Sequence, residues 1–367
     1  MWTWTSTGTS FVVAGWDAIP RRPRAVGAGT RIVVSDVLAP PDVVLPFCHV
    51  ERTGPASVRR TVVVQPGMCG PLQNLVACVG DWTWQTVSMV CGLDVFNARD
   101  ARGLPSYLAF YYYRLTSGSR FRPRDLTFGE RVEVESRVFH SGRLSVVTVH
   151  RIRRIAGERQ APLPFDADEP YGRPRPDCLY VENLNVWVAR SDPRSNVALV
   201  RTAPIGFTPA HLPDADSPRD LCARARDLGA FPDPERSHWT RSAPDLVLEH
   251  PVDVVRDVNG VGLLYFAAFF PIAERAQLHQ WRASGGSDRA FLDRTLLDAR
   301  ICYFGNADLD ATLALALSTS HDPDDPAHQK SDLAISDAGT GRTIAVAAFR
   351  HRDPARDART RRIAAYE

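Results

Sequence analysis

An α+β fold is predicted, in which one unit occurs twice in tandem and each copy wraps an antiparallel sheet around a long central helix. Three observations carry that expectation. Residues 58 to 155 run in the order strand, long apolar helix, three strands. A similar order recurs between residues 246 and 352, whereas a parallel α/β fold would alternate strands with helices. The length of 367 residues, 44% of them hydrophobic, exceeds one domain of about 150 residues and provides for a sizeable core.

RRTVVVQP (59–66) reads as a β-branched strand stopped by Pro66-Gly67. LQNLVACVGDWTWQTVSMVCG (72–92) is helical, because Leu75, Val79, Trp82, Thr86, Met89 and Val90 recur at steps of three and four. SYLAFYYYRL (106–115) is short and strongly aromatic, which predicts a buried strand with Tyr107, Tyr111 and Tyr113 on one face and Tyr112 on the other. In FGERVEVESRVFH (128–140) Val132, Val134 and Ser136 alternate with Arg131, Glu133 and Glu135. Glu130, Glu133 and Glu135 read as a solvated face. Ser141-Gly142 predicts a two-residue turn into RLSVVTVHRI (143–152), with His140 and His150 as edge residues.

CLYVENLNVWVAR (178–190) is one more strand, and a Pro/Asp-rich connection, HLPDADSPRD through FPDPERSHW, leads onward. LVLEHPVDVVRDVNG (246–260) is a strand and turn. GLLYFAAFFPIAERAQLHQW (262–281) is the second long helix, with a bend expected at Pro271. A short helix near SDRAFLDRTLL, strands around Asn306 and a hairpin turning at Gly339-Thr340-Gly341 complete the copy. The expected organisation is therefore an N-terminal extension (1–57), a first unit (58–176) and a second (177–355).

Composition removes several function classes. A net charge of +2 with 9% aromatic residues excludes whole-chain disorder and gives no reason to expect nucleic-acid or membrane-surface binding. Lys330 is the one lysine among forty-four basic residues, and it follows Gln329, so there is no P-loop lysine. It falls in an Asp/Pro/His-rich stretch read as a loop, which speaks against Schiff-base chemistry. Seven cysteines form no CxxC pair and no zinc-like cluster, so no metal is expected and the thiols read as reduced. No apolar run approaches the roughly 18 residues of a spanning helix, the N-terminus is a poor secretory signal, and no Asn-x-Ser/Thr acceptor occurs. A cytoplasmic location is expected. GxSxG, HExxH and GxGxxG are absent.

DVNGVGLLYFAAFFPIAERA (257–276) resembles the opening of hot-dog thioesterases of the 4-hydroxybenzoyl-CoA type, where an Asp-x-x-Gly turn leads into the central helix. LTFGERVEVESRVFHSGRLSVVTVHRI (126–152) resembles that family's central hairpin. Residues 66–115 are more specific, carrying Met-Cys-Gly, Gly-Asp-Trp-Thr-Trp and Pro-x-Tyr-Leu-x-Phe-Tyr-Tyr in that order. In these motifs the chain resembles the LnmK-type bifunctional acyltransferase/decarboxylases, a double hot-dog family of leinamycin-type polyketide biosynthesis. CLYVENLNVWVAR, RTAPIGF (201–207) and VDVVRDVNGVGLLYFA (252–267) extend the likeness over about residues 58 to 350, leaving the N-terminal extension uncovered.

The resemblance implies decarboxylation of methylmalonyl-CoA and transfer of the acyl group to the phosphopantetheine arm of an acyl carrier protein, giving propionyl-S-carrier protein. No cofactor is implied beyond the coenzyme A thioester, which is substrate. The family uses a tyrosine, and Tyr107 is the position that matches it. At an ordinary pKa of about 10 a phenol is easier to defend as hydrogen-bond donor or proton source than as nucleophile. Acyl transfer also needs oxyanion donors, expected from backbone N–H groups of residues 69–74 and 259–263, where Gly70 and Gly260 permit close approach. Trp82 and Trp84 would give an apolar wall or simply core, and Tyr111 either contacts substrate or packs. Asn259 is a functional amide or a turn residue. Cys69 sits where a helix N-terminus would lower a thiol pKa, but no histidine stands at recognisable spacing. The expected substrate-binding set is Gly70, Trp82, Tyr111, Asn259 and Gly260. Two other readings remain open: a hot-dog thioesterase or dehydratase acting on carrier-bound intermediates, and a degenerate double hot-dog that only docks a carrier protein. Which arginines meet carrier or coenzyme phosphates, whether methylmalonyl or malonyl is preferred, and whether the chain forms a homodimer are also left open.

Overall fold

The computed structural model describes residues 47–155, 163–235, 237–354 and 356. The expectation for most of the N-terminal extension lies outside them. The strands are β1 (Cys48–Gly54), β2 (Ser57–Val63), β3 (Ser106–Ser117), β4 (Arg131–His140), β5 (Ser145–Ile155), β6 (Cys178–Arg190), β7 (Leu199–Arg201), β8 (Thr240–Arg241), β9 (Leu246–Pro251), β10 (Thr295–Tyr303), β11 (Thr312–His321), β12 (His328–Asp337) and β13 (Thr343–Arg352). The helices are α1 (Leu72–Cys91), α2 (Glu169–Gly172), α3 (Arg219–Leu228), α4 (Phe269–Ala283) and α5 (Asp288–Asp293).

All strand pairs are antiparallel, in the order β1-β2-β4-β5-β6-β3-β10-β13-β12-β11-β8, with β7 on β6 and β9 on β11. Two half-sheets, each with its long helix, thus join edge to edge where β3 pairs β10 over Tyr112–Thr116. This is the double hot-dog arrangement, with the two expected sheets fused into one. β6 lies between β5 and β3, inside the first half. The division drawn at residue 176 therefore separates this strand from its own sheet, because sequence order hides that the chain returns to fill the gap. One core runs through both halves: Leu75, Val76 and Val79 of α1 and Phe269, Phe270, Ile272 and Ala273 of α4 belong to the same apolar cluster.

Local departures from expectation have local causes. Glu133 and Glu135 are buried, not solvated. The register sets Glu133 opposite Arg153 and Glu135 opposite Arg59, and each carboxylate bonds the guanidinium across from it. His150 is fully buried because β5 is flanked on both sides. Its ring contacts Thr83 Oγ1 at 2.9 Å and Ser136 Oγ at 2.8 Å, and burial pushes its pKa down to about 3, so it is a neutral core residue. The β4–β5 loop occupies 141–144 instead of two residues. Part of the Pro/Asp-rich connection is helical, as α3, burying Cys222 and Ala225. α4 starts at Phe269 after a 3₁₀ turn (Phe266–Ala268), so Pro271 falls in its first turn, where a missing N–H costs nothing. Lys330 is not in a loop. It sits in β12, 6% exposed, with Nζ 2.7 Å from Asp233 and 3.1 Å from Asp332.

The helix α1 meets the second half closely at Gly80. A β-carbon there would lie 2.4 Å from Cζ of Phe266, whose ring stacks on Phe110 at 3.9 Å. Glycine in a helix interior costs about 1 kcal/mol relative to alanine, and here the close approach outweighs that cost. Gly80→Ala is expected to destabilise the protein by about 1–3 kcal/mol through overpacking, read as a lower midpoint in urea with unchanged slope.

Candidate active site

β10 pairs β3 only over Tyr112–Thr116, so residues 106–111 are not covered by that strand. A cavity of about 280 Å³ passes along them, closed opposite by the 259–266 and 303–306 segments and flanked by Gly80, Asp81 and Trp84 of α1. Tyr107, Ala109 and Tyr111 line it from one face of β3, and Leu108 and Phe110 from the other. Its wall is largely apolar, with Trp84, Phe110, Phe266 and Phe269 contributing. Its polar side chains are four phenols (Tyr107, Tyr111, Tyr265, Tyr303), two amides (Asn259, Asn306), Asp81 and Arg201. Among the described residues no serine, threonine, cysteine or histidine lines it.

Of the expected site residues, the structure brings Tyr107, Tyr111 and Asn259 together in this cavity. Gly70, with φ of 84°, borders a different one beside Pro71 and Gln73. Gly260 is exposed and is not among the lining residues. Trp82 points into the core under the Arg60 guanidinium, 5.8 Å away, while Trp84, two residues and about 200° further round the helix, forms the wall. Trp84 is fixed there by its Nε1–H bond to the Leu108 carbonyl at 2.9 Å. The tyrosine alternation breaks at a bulge: the β3–β6 register slips between Phe110 and Tyr112, which leaves Tyr111 as the extra residue. Beyond it the faces exchange, so Tyr113 packs between Phe110 and Phe270 in the core instead of sharing the side of Tyr107.

Asn259 organises the loop. Its Oδ1 accepts from the N–H groups of Val261 (3.1 Å) and Leu263 (3.0 Å), and its own N–H donates to the Leu263 carbonyl. Gly262, at φ 78°, supplies the left-handed residue that closes the turn. Asn306 does the same one step on, with Oδ1 accepting from Leu264 N–H and Nδ2 donating to its carbonyl, each at 3.0 Å. The amides of Val261, Gly262, Leu263, Leu264 and Tyr265 are thereby consumed internally and are not available to an oxyanion. What the turn presents instead is the Asn259 Nδ2, whose orientation is set because Oδ1 already holds two donors.

Asp81 and Asn306 were not anticipated. Asp81 had a signal, being the only charge in the twenty residues of α1. Asp81 is exposed at the cavity, and partial desolvation by its surroundings raises its carboxyl pKa above the ordinary value. The Tyr265 phenol is pushed up to about 12, by burial first and then by Asp81 and Cys78. Burial also raises the Tyr111 phenol, against the opposing effect of Arg201 and Arg226.

Residues 59–234 match the family model of the LnmK N-terminal hot-dog fold domain. This segment belongs to that family. The LnmK-type domain so defined contains α1, β2 to β7 and α3, and hence Tyr107, Tyr111, Asp81 and Arg201, whereas Asn259 and Asn306 come from the second half. Two solved structures share the architecture across most of the chain. A putative oleoyl thioesterase from Lactobacillus plantarum is 11% identical, with 84% of this chain and 95% of that one covered at a TM-score of 0.50. The 12:0-ACP thioesterase from Umbellularia californica is 12% identical, with 82% and 99% covered at 0.50. At these identities the likeness is one of fold. No curated sequence matches the chain. Among the described residues no helix is long and apolar enough to cross a membrane.

Proposed function

We propose that this cavity binds a methylmalonyl thioester, releases carbon dioxide from it and passes the resulting propionyl group from coenzyme A to the phosphopantetheine thiol of an acyl carrier protein, supplying a polyketide building block. The observation that carries the reading is a cavity formed in part by an LnmK-type domain whose polar groups are phenols, amides, one carboxyl and one guanidinium, with no conventional nucleophile among its described lining residues. No cofactor is needed.

In this reading Trp84, Phe110, Phe266 and Phe269 surround the substrate carboxylate with groups that solvate it poorly, which favours loss of neutral carbon dioxide. Asn259 Nδ2 donates to the thioester oxygen as the C–C bond breaks and enolate charge collects there. Tyr107 gives its phenolic proton to the enolate carbon and regains one from solvent. Asp81 takes the proton of the incoming carrier thiol as sulfur attacks the propionyl carbonyl, then returns it to the departing coenzyme A thiolate. The balance is methylmalonyl-CoA, carrier thiol and one proton giving propionyl-carrier, coenzyme A and carbon dioxide.

Intact-mass measurement of a holo carrier protein incubated with enzyme and methylmalonyl-CoA is expected to show a propionyl adduct. A methylmalonyl adduct, or none, would overturn the proposal. Hydrolysis is the second reading, favoured by Asp81, since a carboxylate that deprotonates a thiol would also activate water. Free acid in place of the adduct would select it.

A further inference from the structure

Arg201, at the end of β7, is the one cationic residue among the described residues that line the cavity. It is exposed, and its guanidinium carbon lies 5.7 Å from the Tyr111 ring centroid, so the planar fork is held over an aromatic face at the cavity edge. Arg219, at the start of α3, is anchored close by: its Nη2 is tied to Ser145 Oγ at 2.5 Å and to the Ser141 carbonyl at 3.5 Å, and Ser145 stands opposite Val186 of β6, two residues from Val188, which pairs with Arg201. Neither arginine has a carboxylate partner among the described residues. Burial, and then the nearby Arg201 charge, lower the pKa of Arg219. Two guanidinium groups brought together without a counter-charge repel each other, and the arrangement makes sense when an anion joins them.

We propose that Arg201 and Arg219 form a phosphate clamp at the cavity edge that takes the phosphate at the end of a pantetheine chain. The inference rests on the thioester reading of the same cavity and deepens it. Coenzyme A and the carrier arm share that phosphate chemistry, and the pantetheine chain carries their thiol into the cavity beyond it. The clamp bonds phosphate oxygens through fixed N–H donors and leaves the reacting groups, Tyr107 and Asp81, untouched.

Calorimetric titration of the full chain with coenzyme A, phosphopantetheine and unphosphorylated pantetheine tests this without requiring turnover. Wild type should bind the two phosphorylated compounds about tenfold or more tighter than pantetheine. Arg201→Ala should remove most of that advantage and leave pantetheine affinity unchanged, with Arg219→Ala in the same direction. Loss in the variants confined to coenzyme A would assign the clamp to its additional phosphates, not the shared one, and overturn the proposal as stated. Equal wild-type affinity for all three, or a variant that weakens all three alike, would overturn the clamp while leaving the thioester cavity standing. No binding of any of them would overturn both.

Discussion

Lys330→Met is expected to lower the free energy of unfolding by about 3–5 kcal/mol, the usual cost of removing one partner from a buried ion pair. Lys330 is held between Asp233 and Asp332, whose side chains are 6% and 12% exposed, so its loss leaves two carboxylates close together in poorly hydrated surroundings. Arg350, 3.6 Å from Asp233 and more exposed, replaces little of what is lost. The effect should depend on pH in a defined direction. Burial works against ionisation of Asp233, but the Lys330 hydrogen bond and charge prevail and hold its pKa below the ordinary value. Its stabilising contribution is therefore present above about pH 4, the unfolded carboxylate value, and is lost as pH falls through the lower folded value. The difference between variant and wild type should be largest near neutrality and shrink on acidification, as seen in urea midpoints across that range. Turnover per folded molecule should not change, since Lys330 is in β12 and does not line the cavity.

The same residue marks what the sequence could convey. Its neighbours Asp324, Asp325, His328 and Asp332 are polar, and a polar run reads as loop unless the partners that neutralise it are known. Asp233 is ninety-seven residues away. Glu133 and Glu135 look solvated in the sequence for the same reason, because the arginines opposite them lie on other strands. The central helix, the aromatic strand and the closing hairpin were legible because periodicity and turn residues are local. Tyr107, Tyr111 and Asn259 line one cavity, and of the two tryptophans offered as its wall Trp84 lines it and Trp82 packs in the core. A bulge at Tyr111 reversed the later tyrosines, which no strict alternation could foretell. The sequence places oxyanion donors on backbone amides of 69–74 and 259–263. In the second segment the helix begins later, and Asn259 occupies the amides of Val261, Gly262 and Leu263. The near-absence of lysine retains its meaning, since the one amine is committed to structure.

Tyr107→Phe and Asp81→Asn should each reduce formation of propionyl-carrier by about 10²–10⁴-fold, the range for losing a positioned acid or base, and by different routes. Tyr107→Phe leaves the enolate without its proton donor, so carbon dioxide release should fall together with carrier loading. Asp81→Asn leaves decarboxylation intact, so propionyl-CoA should accumulate while the carrier stays unloaded. Parallel assays of carbon dioxide and carrier mass separate the two, and a variant with both activities at the wild-type level would remove that residue from the mechanism. Because Asp81 acts ionised and partial desolvation raises its pKa, carrier loading by wild type should fall as pH drops through a value above the ordinary carboxylate range, a limb absent from Asp81→Asn. Stability supplies an independent check. A carboxyl whose folded pKa exceeds its unfolded one opposes folding once ionised, with the full penalty above the folded value and none below about pH 3.9. Asp81→Asn should therefore be somewhat more stable than wild type near neutrality and equal to it in acid. Loss of transfer together with a gain in stability would identify a group kept for chemistry at the expense of the fold, which a merely structural aspartate on α1 would not produce.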